Sequence, residues 1–139
     1  MTALDATYAD RPAGSRAMRV TGWTLSGLLI AFMAFDTAIK LIDLPIVAET
    51  SQQLGWPASL DRLIGVTELV SLALYIWPRT AVLGAILLTG LFGGAVAAHL
   101  RLFDPLFSHT LFGVYLGVLA WGGLWFRDER VRALLPWRR

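Results

Sequence analysis

The sequence contains no cysteine. That excludes disulfide scaffolding, thiol catalysis by this chain, and zinc or iron–sulfur sites built on cysteine. Charge is scarce too: Asp, Glu, Lys and Arg make up 16% of the 139 residues against 56% hydrophobic ones, and the formal net charge is only +2. The basic residues gather toward the two ends instead of interleaving with aromatics on one helical face, so no nucleic-acid partner is expected. No G-x-G-x-x-G or phosphate-binding loop follows a strand, Ser108-His109 is no nucleophile elbow, and His99 and His109 stand apart across a loop without a compact ligand signature. Nucleotide binding and serine-hydrolase chemistry therefore have no motif to rest on, and no metal is expected. The residues alone leave open whether the chain is an enzyme.

What is present is apolar sequence in long runs, with a mean hydropathy of +0.61. The runs imply an all-α, polytopic four-helix bundle in a membrane, with spanning helices at about 20–44, 60–77, 81–100 and 111–126. The organisation expected is a flexible cytoplasmic tail over 1–19, a transmembrane domain over 20–126 and a basic cytoplasmic tail over 127–139. The first run is too long for the core of a cleaved signal peptide. Between the first two spans, Pro45 is placed to begin a short helix and Gly55-Trp56-Pro57 to end it. That piece reads either as a helix in the membrane interface or as a solvated loop. Ser59 and Ser108 are placed to cap the second and fourth spans, and Trp77-Pro78-Arg79-Thr80 makes a tight connection. Trp121, Trp125 and Trp137 fit an aromatic belt. Arg11, Arg16, Arg19, Arg79, Arg127, Arg130, Arg132, Arg138 and Arg139 fall on one side and only Arg62 and Arg101 on the other. By the positive-inside rule both termini are then cytoplasmic, in a multi-pass protein expected in a cytoplasmic membrane.

This topology brings the scattered ionisable residues to one level. Asp36 and Lys40 lie late in an outward helix, Glu68 in the outer half of the next, His99 at the end of the third and His109 at the start of the fourth, with Arg101 and Asp104 above them. A charge at the bilayer centre costs about 3 kcal/mol on insertion scales, so such residues need partners. They either lock the bundle structurally or form an outer-half polar pocket that binds a ligand or relays protons. Glu68 is too short to reach the interface and is expected to be protonated or paired. It would stand at the centre of the pocket, with Asp36 and Lys40 nearby and His99 or His109 linked directly or through water. Gly90 with Gly94 and Gly113 with Gly117 have small-xxx-small spacing and are expected to mark close helix contacts, and such Gly-rich faces could also pack against a partner membrane protein; a homo-oligomer is a further possibility. Trp23, Phe32, Phe35, Tyr75, Phe92, Tyr115 and Trp121 could line a slot for a flat quinone, although such residues more often pack or form belts.

The runs PRTAVLGAILLTGLFGGAVAAHLR (Pro78 to Arg101), DPLFSHTLFGVYLGVLAWGGLW (Asp104 to Trp125) and LGWP (Leu54 to Pro57) resemble the DoxX-like family of small four-helix membrane proteins. The resemblance covers most of the chain from about Arg19 onward. It implies Glu68, His99, Arg101, Asp104 and His109 as the family's polar positions and assigns none of them a catalytic role. It also implies an accessory membrane subunit of a thiol, sulfur or quinone redox system. The alternative is a non-catalytic scaffold or assembly factor for a partner membrane protein. Without cysteine, a redox role needs a bound quinone or a partner redox protein.

Overall fold

Apolar residues run almost unbroken from Val20 to Leu41, and the chain forms one long helix there, α1 (Arg16–Leu41). The structure, a computed structural model, describes residues 16–135. Pro45 supplies the fixed backbone angle that suits a first helical position and opens α2 (Pro45–Gln53). A single 3₁₀ turn, Ala58–Leu60, leads into α3 (Asp61–Ile76). Pro78 cannot continue helical hydrogen bonding; the chain reverses through Trp77 to Thr80, whose hydroxyl donates to the Leu74 carbonyl at 2.9 Å, and enters α4 (Ala81–Arg101). A π-helical turn, Leu106–Thr110, precedes α5 (Phe112–Arg127), and α6 (Glu129–Leu134) closes the described chain.

The four longer helices pack in a ring: α1 against α3 and α5, and α4 against α3 and α5. Leu29, Met33, Leu72, Tyr75, Leu88, Leu116 and Leu124 fill its core. Leu28, Phe35, Val70, Ile86 and Val118 point outward, exposed, an apolar surface that suits lipid and not water. Three helical stretches, Arg16–Leu41, Ala81–Arg101 and Leu106–Arg127, are long and apolar enough to cross a membrane. The expected second span is a helix as well, but its 16 residues reach about 24 Å at about 1.5 Å each, short of a hydrocarbon core of about 30 Å.

Several expectations need correction. The first helix begins at Arg16, four residues inside the stretch expected to be a tail, while residues 1–15 and 136–139, with Trp137, lie outside the described residues. The stretch expected to be a basic tail contains a short helix: Asp128 caps α6 by accepting from the Arg130 N–H at 2.9 Å, and Val131 is buried. Arg132 folds back to donate to the carbonyls of Trp125 and Phe126 at 3.0 and 2.9 Å, satisfying acceptors that the last turn of α5 would leave open. Ser59 and Ser108 cap nothing, because α3 and α5 are entered through a 3₁₀ and a π turn that already use the local backbone donors.

The glycine expectation fails in part. A Cβ placed on Gly90, Gly94 or Gly117 would meet nothing within 4 Å, so these do not mark contacts between helices of this chain. Gly113 does, since its Cβ would stand 2.8 Å from the Phe92 carbonyl oxygen. The closest approaches are made by glycines outside the expected set. A Cβ on Gly22 would lie 2.7 Å from the Arg127 nitrogen, one on Gly123 would lie 3.0 Å from the Ser26 nitrogen, and one on Gly84 would collide with the Tyr75 backbone. Beside Gly123, the Tyr75 hydroxyl shares a hydrogen bond with Ser26 at 3.0 Å and donates to the Ala120 carbonyl at 2.9 Å, joining α1, α3 and α5 in the core.

Candidate functional site

One turn of helix separates Asp36 from Lys40, so both side chains lie on one face of α1, and that face meets α3 at Gly65 and Glu68. Gly65 permits the approach, since a Cβ there would come within 3.0 Å of the Lys40 Cβ. Lys40, the only lysine in the sequence, then donates to Asp36 Oδ2 and, at 2.6 Å, to Glu68 Oε1. Two carboxylates thus share one ammonium in a setting where a lone charge is costly. Glu68 is 6% exposed. Its second oxygen, Oε2, is buried, and the only further donor facing the Glu68 carboxylate among the described residues is the Thr37 hydroxyl, which stands outside strict hydrogen-bond geometry.

A third carboxylate completes the group. Asp61, at the first position of α3, is 1% exposed; Oδ1 accepts from the Ser51 hydroxyl of α2, and Oδ2 has no partner among the described residues. Asp36, Lys40, Ser51, Asp61, Glu68, His99 and His109 all border one cavity of about 510 Å³. The rest of its wall is largely apolar, including Phe32, Val47, Trp56, Phe92, Phe112 and Leu116. Phe32 and Phe112 meet edge to face with centroids 5.1 Å apart. Helix α2 covers the cavity from the loop side, and Gly90 and Gly94 border it, which explains why no helix sits on them.

The histidines have their own partners. His99 Nδ1 and Asp104 Oδ2 are 2.6 Å apart, His109 Nδ1 and Ser108 Oγ 2.8 Å, and the two imidazole rings stand 5.9 Å apart. Glu68 bonds to Lys40, and no hydrogen bond joins it directly to either histidine among the described residues. Arg101 and Asp104 do not border the cavity. Arg101 instead donates to the Leu54 carbonyl at 2.6 Å, beside Gly55, whose φ of +73° favours glycine. It ties the end of α4 to the end of α2.

Of the seven aromatics read as a slot, only Phe32 and Phe92 border this cavity. Tyr75 is buried in the core, Trp23 stacks with Arg127 at the far end, Phe35 points outward, Tyr115 donates to the Phe107 carbonyl and Trp121 donates to Thr89. Asp61 and Ser51 escaped the sequence reading. An aspartate at a helix start looks like a partner of the helix dipole, and nothing local marks it as buried. No group of three His, Cys, Asp or Glu side chains is arranged to hold a metal ion among the described residues.

The DoxX-like family model matches residues 24–123, a span that contains every residue bordering the cavity. No curated protein and no solved structure matches the chain. With its apolar membrane-crossing helices, the chain is a multi-pass membrane protein that belongs to the DoxX-like family.

Proposed function

We propose that the protein is an accessory subunit of a membrane redox system and holds a quinone-type carrier, in its hydroxyl-bearing reduced form, in the cavity between α1, α3, α4 and α5. The observation that carries this reading is a pair of buried carboxylate oxygens that are poorly met. Asp61 Oδ2 has no donor among the described residues and Glu68 Oε2 has only the Thr37 hydroxyl beside it, outside strict hydrogen-bond geometry, and both residues border an otherwise largely apolar cavity. Leaving such a group unsatisfied costs about 1–3 kcal/mol. An occupant that carries O–H donors on a flat apolar ring recovers that loss while burying its ring against Phe32, Phe92 and Phe112. The oxidised quinone has only acceptors to offer, and Lys40 already gives two of its three protons to Asp36 and Glu68. His99 with Asp104, and His109 with Ser108, stand at the same end as groups able to pass protons between carrier and water.

The substitution Glu68→Gln tests this reading. Lys40 holds the amide oxygen in the place of Oε1, so the amide NH₂ replaces the Oε2 acceptor with a donor. The variant is expected to fold and to bind a short-chain quinol about tenfold to a hundredfold more weakly, the worth of one hydrogen bond to a charged group. Affinity for the matching quinone should hold or improve. Fluorescence of Trp56, which borders the cavity, offers the readout in a titration of wild type against variant. Unchanged quinol affinity would remove the reading's main support.

For topology, we place both ends on the cytoplasmic side, with α3 as a fourth crossing completed by the flanking turn. The support is the placement of Arg16, Arg19, Arg79, Arg127, Arg130 and Arg132 at one end of the ring, against Arg62 and Arg101 at the other. A reporter fused to the C-terminus is expected to be accessible only from the cytoplasm. Accessibility only from outside would overturn the orientation.

A second reading, a non-catalytic scaffold, draws on Gly90, Gly94 and Gly117, whose faces no helix of the chain occupies. A partner's helix could approach closely there. Stoichiometric co-purification of a partner with no bound small molecule would favour it.

A further inference from the structure

A second cavity, of about 370 Å³, lies at the opposite end of the ring, bordered by Trp23 of α1, Pro78 and Arg79 of the α3–α4 turn, and Arg127, Asp128 and Arg130 where α5 passes into α6. Three guanidinium groups border it against one carboxylate, and that carboxylate already accepts from the Arg130 backbone N–H at 2.9 Å.

Arg127 is held firmly. Its guanidinium carbon lies 4.5 Å from the centroid of the Trp23 ring and 5.0 Å from that of Tyr75, Nη2 donates to the Tyr75 carbonyl at 3.3 Å, and its backbone is packed against Gly22. Its Nε is nevertheless buried with no acceptor among the described residues. Arg79 and Arg130 are exposed, and neither side chain is joined by a hydrogen bond or ion pair to another described residue. The cavity thus combines the fixed guanidinium of Arg127 with two guanidinium groups that pair with no described residue, a donor array that matches the oxyanions of a phosphate group.

We propose that this cavity binds a phosphate-class oxyanion, supplied by the phosphodiester headgroup of an anionic lipid. The lipid source is favoured by position: Trp23 and the exposed Trp77 flank the cavity end of the ring, as residues at the headgroup level of a bilayer do. The proposal does not depend on the occupant of the other cavity or on which side of the membrane this end faces.

Native mass spectrometry of the detergent-extracted protein, offered equal phosphatidylglycerol and phosphatidylcholine, tests it. Wild type is expected to retain the anionic lipid preferentially. The double variant Arg79→Ala/Arg130→Ala should retain it on the order of twentyfold more weakly, about fivefold for each arginine near the charged surface. Its thermal stability without lipid should match wild type, since both side chains are exposed and pair with no described residue. A second arm uses inorganic phosphate. Saturable thermal stabilisation by phosphate, lost in the double variant and unaccompanied by lipid selectivity, would keep the oxyanion site and overturn its lipid source. Equal retention of both lipids, or anionic retention unaltered by the double variant, with no response to phosphate, would overturn the proposal.

Discussion

Replacing Lys40 with methionine is expected to lower the stability of the extracted protein by about 3 kcal/mol or more, because it strands Asp36 and Glu68 as facing carboxylates whose shared partner is gone. In a domain of this size that corresponds to a fall on the order of 10 °C in the thermal midpoint. The loss belongs to the uncompensated charges and not to the methylene stem, which methionine largely keeps. Removing the charges together should therefore undo it: Lys40→Met combined with Asp36→Leu and Glu68→Leu should recover most of the stability, as apolar replacements of buried ionic groups commonly do. Thermal denaturation of wild type, single and triple variants measures both effects. A single variant as stable as wild type would mean that the ammonium reaches water and that the two carboxylates do not depend on it.

The other large effect concerns helix approach. Gly84→Leu should cost about 3 kcal/mol or more, since even a Cβ at that position collides with the backbone of Tyr75 and the two helices cannot separate without opening the core. Gly94→Leu should leave stability nearly unchanged, because its face is open. That substitution should instead obstruct the cavity it borders and weaken the occupant's binding. The pair separates packing from binding. If Gly84→Leu is as stable as wild type, the contact between α3 and α4 is looser than described; if Gly94→Leu unfolds the protein, that face carries a contact with another chain.

Three of the four expected spans and the turn at Pro78 were legible because they rest on features that act locally, run length and proline's missing N–H. The level at which Asp36, Lys40, Glu68, His99 and His109 meet was legible too, since helical rise converts sequence position into depth. What depth cannot supply is azimuth. Four-residue spacing puts Gly90 and Gly94 on one face, but nothing in that spacing says whether the face meets a helix or a cavity, and here it meets a cavity. Gly22, Gly84 and Gly123 were passed over because each works alone, opposite a partner far away in sequence. For the same reason Ser51 and Asp61 carried no signal: their contact depends on how α2 folds over the start of α3. Tyr75 was readable as a pocket aromatic because nothing local shows that it is buried in the core with its hydroxyl between Ser26 and the Ala120 carbonyl.

On the proposed function, Asp61 Oδ2, without a donor among the described residues, and Glu68 Oε2, with only the Thr37 hydroxyl beside it, suit the cavity to a donor-bearing ring. Native mass spectrometry of the wild-type protein, incubated anaerobically with equal amounts of a matched short-chain quinol and quinone, tests it directly. A single-ligand adduct in which quinol exceeds quinone by about tenfold is expected, the least that one charge-assisted hydrogen bond supplies. Equal adducts would contradict it, as would a preference for the quinone, which would mean that a carboxyl of the cluster carries a proton and donates. A stoichiometric partner protein with no adduct at all would contradict it in favour of the scaffold.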